Sequence, residues 1–270
     1  MDKNINADII DLFIMDYIGN EKRKITPIEL TSLLKEKFNL KRKELNLRIN
    51  NLVQNNSLEY SNIFGSTFLE ISFSKPVKIS DHVVVKPPES VYQKKLSEIV
   101  VTIEKGTSFG RGTHPTTRLS IDSIDKILHK QRNSLYDKSA LDIGTGSGVL
   151  AITGVLFGIG EIDACDIDTV SLNEAKKNSI LNNVENKIIF STSFNNNKHY
   201  DFIFANLRFP TLIDLFDQIC AMSNKNSYVV FSGIKIEEKE KIIKKYSGDY
   251  FKIIGESSEK GWSAIILKKI

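Results

Sequence analysis

From residue 140 onward, short apolar runs rich in β-branched residues alternate with longer stretches of helical periodicity. That alternation confines the chain to a mainly parallel sheet covered by helices. The expected strands lie at 140–143, 161–166, 187–191, 200–205 and 228–232, and the expected helices at 148–157, 169–182, 212–222 and 237–246. Two further strands, 250–256 and 262–268, flank the polar turn 257–261, so a hairpin should close the sheet.

Residues 1–75 follow a different pattern. Ile9, Ile10, Phe13, Ile14 and Tyr17 make one helical face. Thr26-Pro27 opens a second helix, with Thr26 as N-cap, Pro27 in the first position and Glu29 in the third. A third helix, 41–54, turns Leu45, Ile49, Leu52 and Val53 inward. The segments 57–60 and 68–71 then alternate like strands on either side of Gly65-Ser66. Three helices and a hairpin outline a winged-helix-like domain. Pro76 and Pro87-Pro88 mark its end and a connecting segment with a strand at 81–85, giving domains 1–75 and 76–270.

Composition excludes more than it identifies. A formal charge of +4 is too small to name a polyanionic partner. The N-terminal region does carry Lys22-Arg23-Lys24, Lys35, Lys37, Lys41-Arg42-Lys43 and Arg48, a basic set that could meet nucleic acid. Glu29, Glu36 and Glu44 lie among them, and solvated helix faces are the preferred reading. Cys165 and Cys220 are far apart in apolar segments and read as reduced thiols. His82, His114, His129 and His199 are scattered without a cysteine pair, so no metal site is expected. The start, Met1-Asp2-Lys3-Asn4, lacks a signal-peptide layout, and the apolar stretch 149–164 is broken by Gly154, Gly158, Gly160, Glu161 and Asp163. No membrane span is expected, and the cytoplasm is the expected compartment.

The chemistry centres on Leu141-Asp142-Ile143-Gly144-Thr145-Gly146-Ser147-Gly148, a strand entering a glycine-rich turn and then a helix. Glycines there let a ligand approach the backbone closely. The spacing alone also fits a dinucleotide-binding loop or a tight turn without ligand. The next strand ends in Asp166-Ile167-Asp168. An acidic residue there can accept both hydroxyl protons of a ribose. Asp168 precedes a helix and reads as its N-cap, which leaves Asp166 for the ribose. Asn206 ends the strand 200–205, where a polar side chain faces the ligand crevice of a parallel sheet or simply favours a turn. The loop from Phe109 to Thr117 contains Gly110, Gly112, His114 and Pro115. Thr116 or Thr117 suits the cap of the helix after it, and His114 reads as structural or solvent-facing.

The runs SFGRGTHPTTRLSI, LDIGTGSGVLAI, DIDTVSLNEAKKNSILNNV, DFIFANLRFPTL and FSGI occur in the order and spacing of the PrmA-type methyltransferases, which residues 76–270 resemble. The resemblance implies a Rossmann-like, seven-stranded class I methyltransferase sheet and S-adenosylmethionine as cofactor. It also implies transfer to amino groups, lysine or N-terminal, of a protein at the stalk base of the large ribosomal subunit. Thr117, Gly144, Gly146, Asp166 and Asn206 would contact the cofactor, and Asn206, the catalytic candidate, would lie beside the methyl group. No side chain is required as a general base. Two features depart from the family: residues 1–75 differ from its N-terminal domain, and Arg208 stands where a small or apolar residue is usual. An RNA or DNA methyltransferase guided by residues 1–75 stays open, as does a binding protein that keeps the pocket without catalysis or a winged-helix module used only for dimerisation. Against the nucleic-acid reading, Asn206-Leu207-Arg208-Phe209 lacks the Asn-Pro-Pro-aromatic run that grips a planar nitrogen.

Overall fold

The computed structural model describes residues 3–21, 24–63, 66–104 and 114–270. The chain divides into two compact units, Met1–Ser74 and Lys75–Ile270. In the first, α1 (Lys3–Asn20), α2 (Pro27–Phe38) and α3 (Arg42–Gln54) precede an antiparallel hairpin of β1 (Leu58–Ile63) and β2 (Ser66–Ile71). A capping box starts α2: Thr26 Oγ1 accepts from the Glu29 N–H at 3.2 Å, and Glu29 Oε2 accepts from the Thr26 N–H at 2.9 Å. Ile10 and Ile14 of α1, Leu30 and Leu34 of α2 and Leu45 and Ile49 of α3 close over Leu58 and Leu69 of the hairpin. Ile25 adds a single β-bridge to Leu69. Part of the basic set is neutralised locally, Lys24 by Glu70 and Arg48 by Asp11 and Glu44. Lys22, Arg23 and Gly65 lie outside the described residues.

The second unit opens with a small sheet of β3 (Val77–Lys78), β4 (Val83–Lys86) and β5 (Ile99–Thr102) in the order β3-β4-β5. Only β4 had a sequence counterpart, at 81–85. Helix α4 (Pro115–Leu128) follows. The main sheet is then built from β6 (Ser139–Ile143), α5 (Val149–Phe157), β7 (Glu161–Cys165), α6 (Thr169–Leu181), β8 (Ile188–Ser191) and β9 (Tyr200–Asn206). It continues through α7 (Phe209–Asp214), α8 (Phe216–Met222), β10 (Ser223–Lys235), α9 (Lys239–Tyr246), β11 (Phe251–Glu259) and β12 (Trp262–Lys269).

Strand order is β11-β12-β10-β9-β6-β7-β8. Neighbours from β8 to β10 are parallel, and β12 runs antiparallel to both β10 and β11. The expected α/β class and seven-stranded, mostly parallel sheet are therefore present. Central strands are apolar throughout because helices cover both faces: Ala140, Leu141, Ile203 and Phe204 are fully buried. Burial of a side chain of the Leu or Phe kind contributes about 1.5–3 kcal/mol. The order reverses at β6, whose neighbours are β7 on one side and β9 on the other. Such a switch point opens a crevice at the carboxyl ends of the strands.

Three elements differ from expectation. The helix expected at 212–222 is two helices, α7 and α8, broken at Leu215 (φ −82°, ψ 2°). α7 also starts earlier, because Pro210 is tolerated in a first turn. β10 is far longer than 228–232; irregular pairing between Ser223 and Tyr228 and between Phe231 and Ile234 hides it from a simple alternation. The closing hairpin turns on two residues, Lys260 (φ 50°) and Gly261 (φ 83°), which match the right-handed strand twist. Cys165 and Cys220 are both free. Among the described residues, no helix is long and apolar enough to cross a membrane. The scattered histidines are not all separate in space: the rings of His82 and His129 stack with centroids 3.6 Å apart.

Candidate functional site

Gly144, Gly146 and Gly148 all have positive φ, 71°, 55° and 82°, so the chain leaves β6 in a conformation that L side chains rarely adopt. Contacts from β7 hold the turn. Cys165 O accepts from the Gly144 and Thr145 N–H groups, both at 2.9 Å. The Asp166 carboxylate, just past β7, accepts from the Gly146 N–H at 2.9 Å through Oδ2 and from the Asp168 N–H at 3.0 Å through Oδ1. Each oxygen keeps a further lone pair, and the residue is half-buried at the crevice. Asp168 caps α6 as expected, accepting from the Val170 N–H at 3.0 Å and the Ser171 N–H at 3.2 Å.

Beneath the turn, Asp142 is fully buried. Its Oδ2 accepts from Thr145 Oγ1 at 2.6 Å and from the Ala151 N–H at 3.2 Å, whereas Oδ1 has no hydrogen-bond partner among the described residues. Burial pushes the carboxyl up to about 7, against the pull of those two hydrogen bonds. Asn178 of α6 braces the turn by donating to Ser147 O at 2.8 Å, and its Oδ1 accepts from the Glu104 N–H at 2.9 Å.

On the other side of β6, Asn206 ends β9 and pairs in register with Ser232 of β10. Ser232 Oγ donates to Thr116 O at 2.9 Å, which anchors the first turn of α4 over the end of β10. Gly233 (φ 79°) lies so close to the β9–α7 connection that a Cβ there would sit 2.4 Å from Leu207 O. The helix cap is not the expected Thr116 or Thr117. His114 is the N-cap: its Nδ1 accepts from the Thr116 N–H at 3.3 Å, and Pro115 takes the first position. Burial pushes His114 down to about 4, and its ring meets Trp262 edge-on at 5.5 Å. That outcome agrees with a structural His114. Thr117 is completely buried, and its hydroxyl has no partner among the described residues. Residues 109–113, with Gly110 and Gly112, lie outside the described residues.

The fold thus brings all five sequence-selected positions to one edge. Gly144 and Gly146 follow β6, Asp166 follows β7, Asn206 ends β9, and Thr117 sits in the α4 turn tied to β10. Sequence reasoning overlooked Asp142, Asn178, Ser232 and Gly233. All four lie inside the quoted runs, Asp142 in LDIGTGSGVLAI, Asn178 in DIDTVSLNEAKKNSILNNV and Ser232-Gly233 in FSGI, but nothing in their local pattern marks a role.

A seven-stranded sheet in this order, with a glycine turn after its central strand and an acidic residue after the next, defines the class I methyltransferase fold. The chain belongs to the ribosomal protein L11 methyltransferase (PrmA) family, whose model matches residues 12–270. The match reaches into the first unit, beyond the motifs of 76–270. Ribosomal protein L11 methyltransferase of Fusobacterium nucleatum is 36% identical over 197 residues, which are 71% of this chain and 61% of that protein. The Clostridium perfringens counterpart is 30% identical over 198 residues, 73% of this chain and 61% of its own length. The chain therefore spans about three fifths of these curated relatives. The crystal structure of ribosomal protein L11 methylase from Lactobacillus delbrueckii subsp. bulgaricus aligns with a TM-score of 0.64 and 25% identity, over 73% of this chain and 99% of that one.

Proposed function

We propose that this protein is an S-adenosylmethionine-dependent methyltransferase that modifies amino groups, lysine or N-terminal, of ribosomal protein L11. The observation that carries the reading is the pair of buried oxygens without hydrogen-bond partners among the described residues, Thr117 Oγ1 and Asp142 Oδ1, in the two elements that flank the crevice. An uncompensated buried polar atom is costly, and a polar ligand offers the compensation. The residues present fit this cofactor. Asp166 has free lone pairs for the ribose hydroxyls, and the Gly144–Gly148 turn gives backbone access. The N–H groups at the start of α4, with Thr117, suit the methionine carboxylate. Asn206 would sit at the reacting end.

S-adenosylmethionine supplies an activated methyl group on a sulfonium that leaves as a neutral thioether. The protein has then to orient the acceptor amine in line with that methyl and strip water from it, which favours its unprotonated form. The first unit supports a winged-helix-like domain, and we assign residues 1–75 to protein contact: Lys24 and Arg48 are engaged by Glu70, Asp11 and Glu44 rather than free for phosphates. We place the enzyme in the cytoplasm, with its acceptor. A labelling experiment tests the reading: methyl-labelled cofactor is incubated with the protein and cell extract, then treated with protease or nuclease. Release of the label by protease supports it; release by nuclease overturns it in favour of an RNA or DNA acceptor.

A further inference from the structure

Away from the crevice, toward the far end of α4, three potential metal ligands converge. Asp125 lies in the last turn of α4, and His129 begins the 3-10 helix His129–Ser134 that continues it, so the i, i+4 spacing puts both on one face. His82, in the turn before β4, packs against them. Its Nδ1 lies 2.9 Å from Asp125 Oδ1, and its backbone N–H donates to Asp125 Oδ2 at 3.0 Å. The two imidazoles stack at 3.6 Å with an 8° interplanar angle. One ligand atom from each residue lies within 4.8 Å of the others. Asp125 is buried, both histidines are half-buried, and His129 Nδ1 is buried without a hydrogen-bond partner among the described residues.

We propose that His82, Asp125 and His129 bind one divalent transition-metal ion of the zinc type in a structural site. Two imidazole nitrogens and one carboxylate oxygen suit Zn²⁺, Co²⁺ or Ni²⁺ rather than the all-oxygen shell that Ca²⁺ or Mg²⁺ prefers. The Asp125 carboxylate is oriented by the His82 N–H, and the ion gives the unpartnered His129 nitrogen a partner. Lone pairs lie in the ring planes, so the parallel stack must open like a wedge. A modest swing of both rings brings the ligand atoms to the separation of about 3.3 Å that tetrahedral Zn–N distances require. Water completes the shell on the solvent side. The ion would clamp the turn before β4 to the end of α4, roughly 12 Å (Asp125) to 18 Å (His129) along the axis from Thr117. That distance makes the site structural rather than catalytic. It escaped the sequence because His82 lies 43 residues before Asp125.

The test uses the full chain without a histidine tag, stripped with chelator and titrated with Zn²⁺ by calorimetry and with Co²⁺ by absorption. The expected result is one saturable equivalent. In His82→Gln and in His129→Gln, affinity should fall by more than the ~10–100-fold that loss of a supporting partner causes. Zn²⁺ should raise the unfolding temperature of the wild type and of neither variant, while S-adenosylmethionine affinity stays unchanged. If the variants fail to fold, the Co²⁺ spectrum of the wild type decides. Intense bands of four- or five-coordinate nitrogen–oxygen ligation support the site, and the weak spectrum of an aqueous octahedral ion overturns it. Absence of saturable binding, or full affinity retained in both variants, also overturns it.

Discussion

The two sides of the crevice are built differently. On the β6–β7 side the glycine turn is over-determined: Cys165 O, the Asp166 carboxylate and Asn178 fix its backbone, and its glycines occupy φ values that other residues resist. On the β9–β10–α4 side the backbone is anchored by Ser232, but among the described residues nothing bonds to the Thr117 hydroxyl or to the Asn206 side chain. One wall is tied down at many points, and the other carries polar side chains with few bonds to the described residues. Substitutions on the first should therefore move stability and affinity together, and those on the second should separate them.

The largest effect is expected where backbone approaches backbone. Gly233→Ala combines φ 79° with a Cβ 2.4 Å from Leu207 O and should destabilise by about 3 kcal/mol or more in denaturant unfolding. Gly144→Ala is also strained, at φ 71°, but its Cβ meets the movable Leu207 Cδ2 at 2.5 Å, and a loss of about 1–3 kcal/mol is expected. Equal losses would show that the connection after β9 is as adaptable as a side chain.

The pH dependence of stability comes next. Folded Asp142 ionises at about 7 instead of 3.8. Between those values the native protein holds a proton the unfolded chain has released, so stability falls as pH rises from about 4 to 7, by at most a few kcal/mol. His114 acts in the opposite sense: its folded value of about 4 lies below 6.5, so its contribution is present above 6.5 and lost as pH falls toward 4. The two slopes oppose each other between about 4 and 6.5. Unfolding of Asp142→Asn should expose the rising limb alone, and His114→Gln the falling one. Unchanged profiles in both variants would mean that neither group is shifted as its burial requires.

Asp166→Ala should weaken S-adenosylmethionine binding by about 1.5–3 kcal/mol, roughly one to two orders of magnitude in Kd. It should also lower the stability of the cofactor-free protein, since the Gly146 and Asp168 N–H groups lose their acceptor. Calorimetry with intact affinity in a folded variant would remove Asp166 from the site. Thr117→Val is the smallest and sharpest test: affinity should fall by about 0.5–1.5 kcal/mol, while unfolding of the cofactor-free protein is unchanged or slightly harder. Lower stability with intact affinity would make Thr117 a structural residue.

The same contrast governs what could be read from sequence. The glycine turn and Asp166 were legible because strand, turn and acidic residue recur at a spacing with a backbone cause. Asn206 was visible as a polar end to an apolar strand. Thr117 was not separable from Thr116 as a helix cap, since the actual cap, His114, is an unusual choice for that role. Asn178 and the His82–Asp125–His129 cluster depend on contacts between segments far apart in the chain, and Asp142, whose partners Thr145 and Ala151 are near in sequence, sits in an apolar strand whose period does not mark it. In the first unit, the Thr26–Glu29 capping box was legible, but the bridge from Ile25 to Leu69 was not.

The most direct measurement is mass spectrometry of purified ribosomal protein L11 after incubation with this protein and S-adenosylmethionine, with Asn206→Ala alongside. Wild type should add whole methyl increments to lysine side chains or the N-terminal amine, and Asn206→Ala should add them far more slowly while still folding. A wild-type protein that binds the cofactor yet leaves L11 unmodified, or that methylates ribosomal RNA instead, would contradict the account.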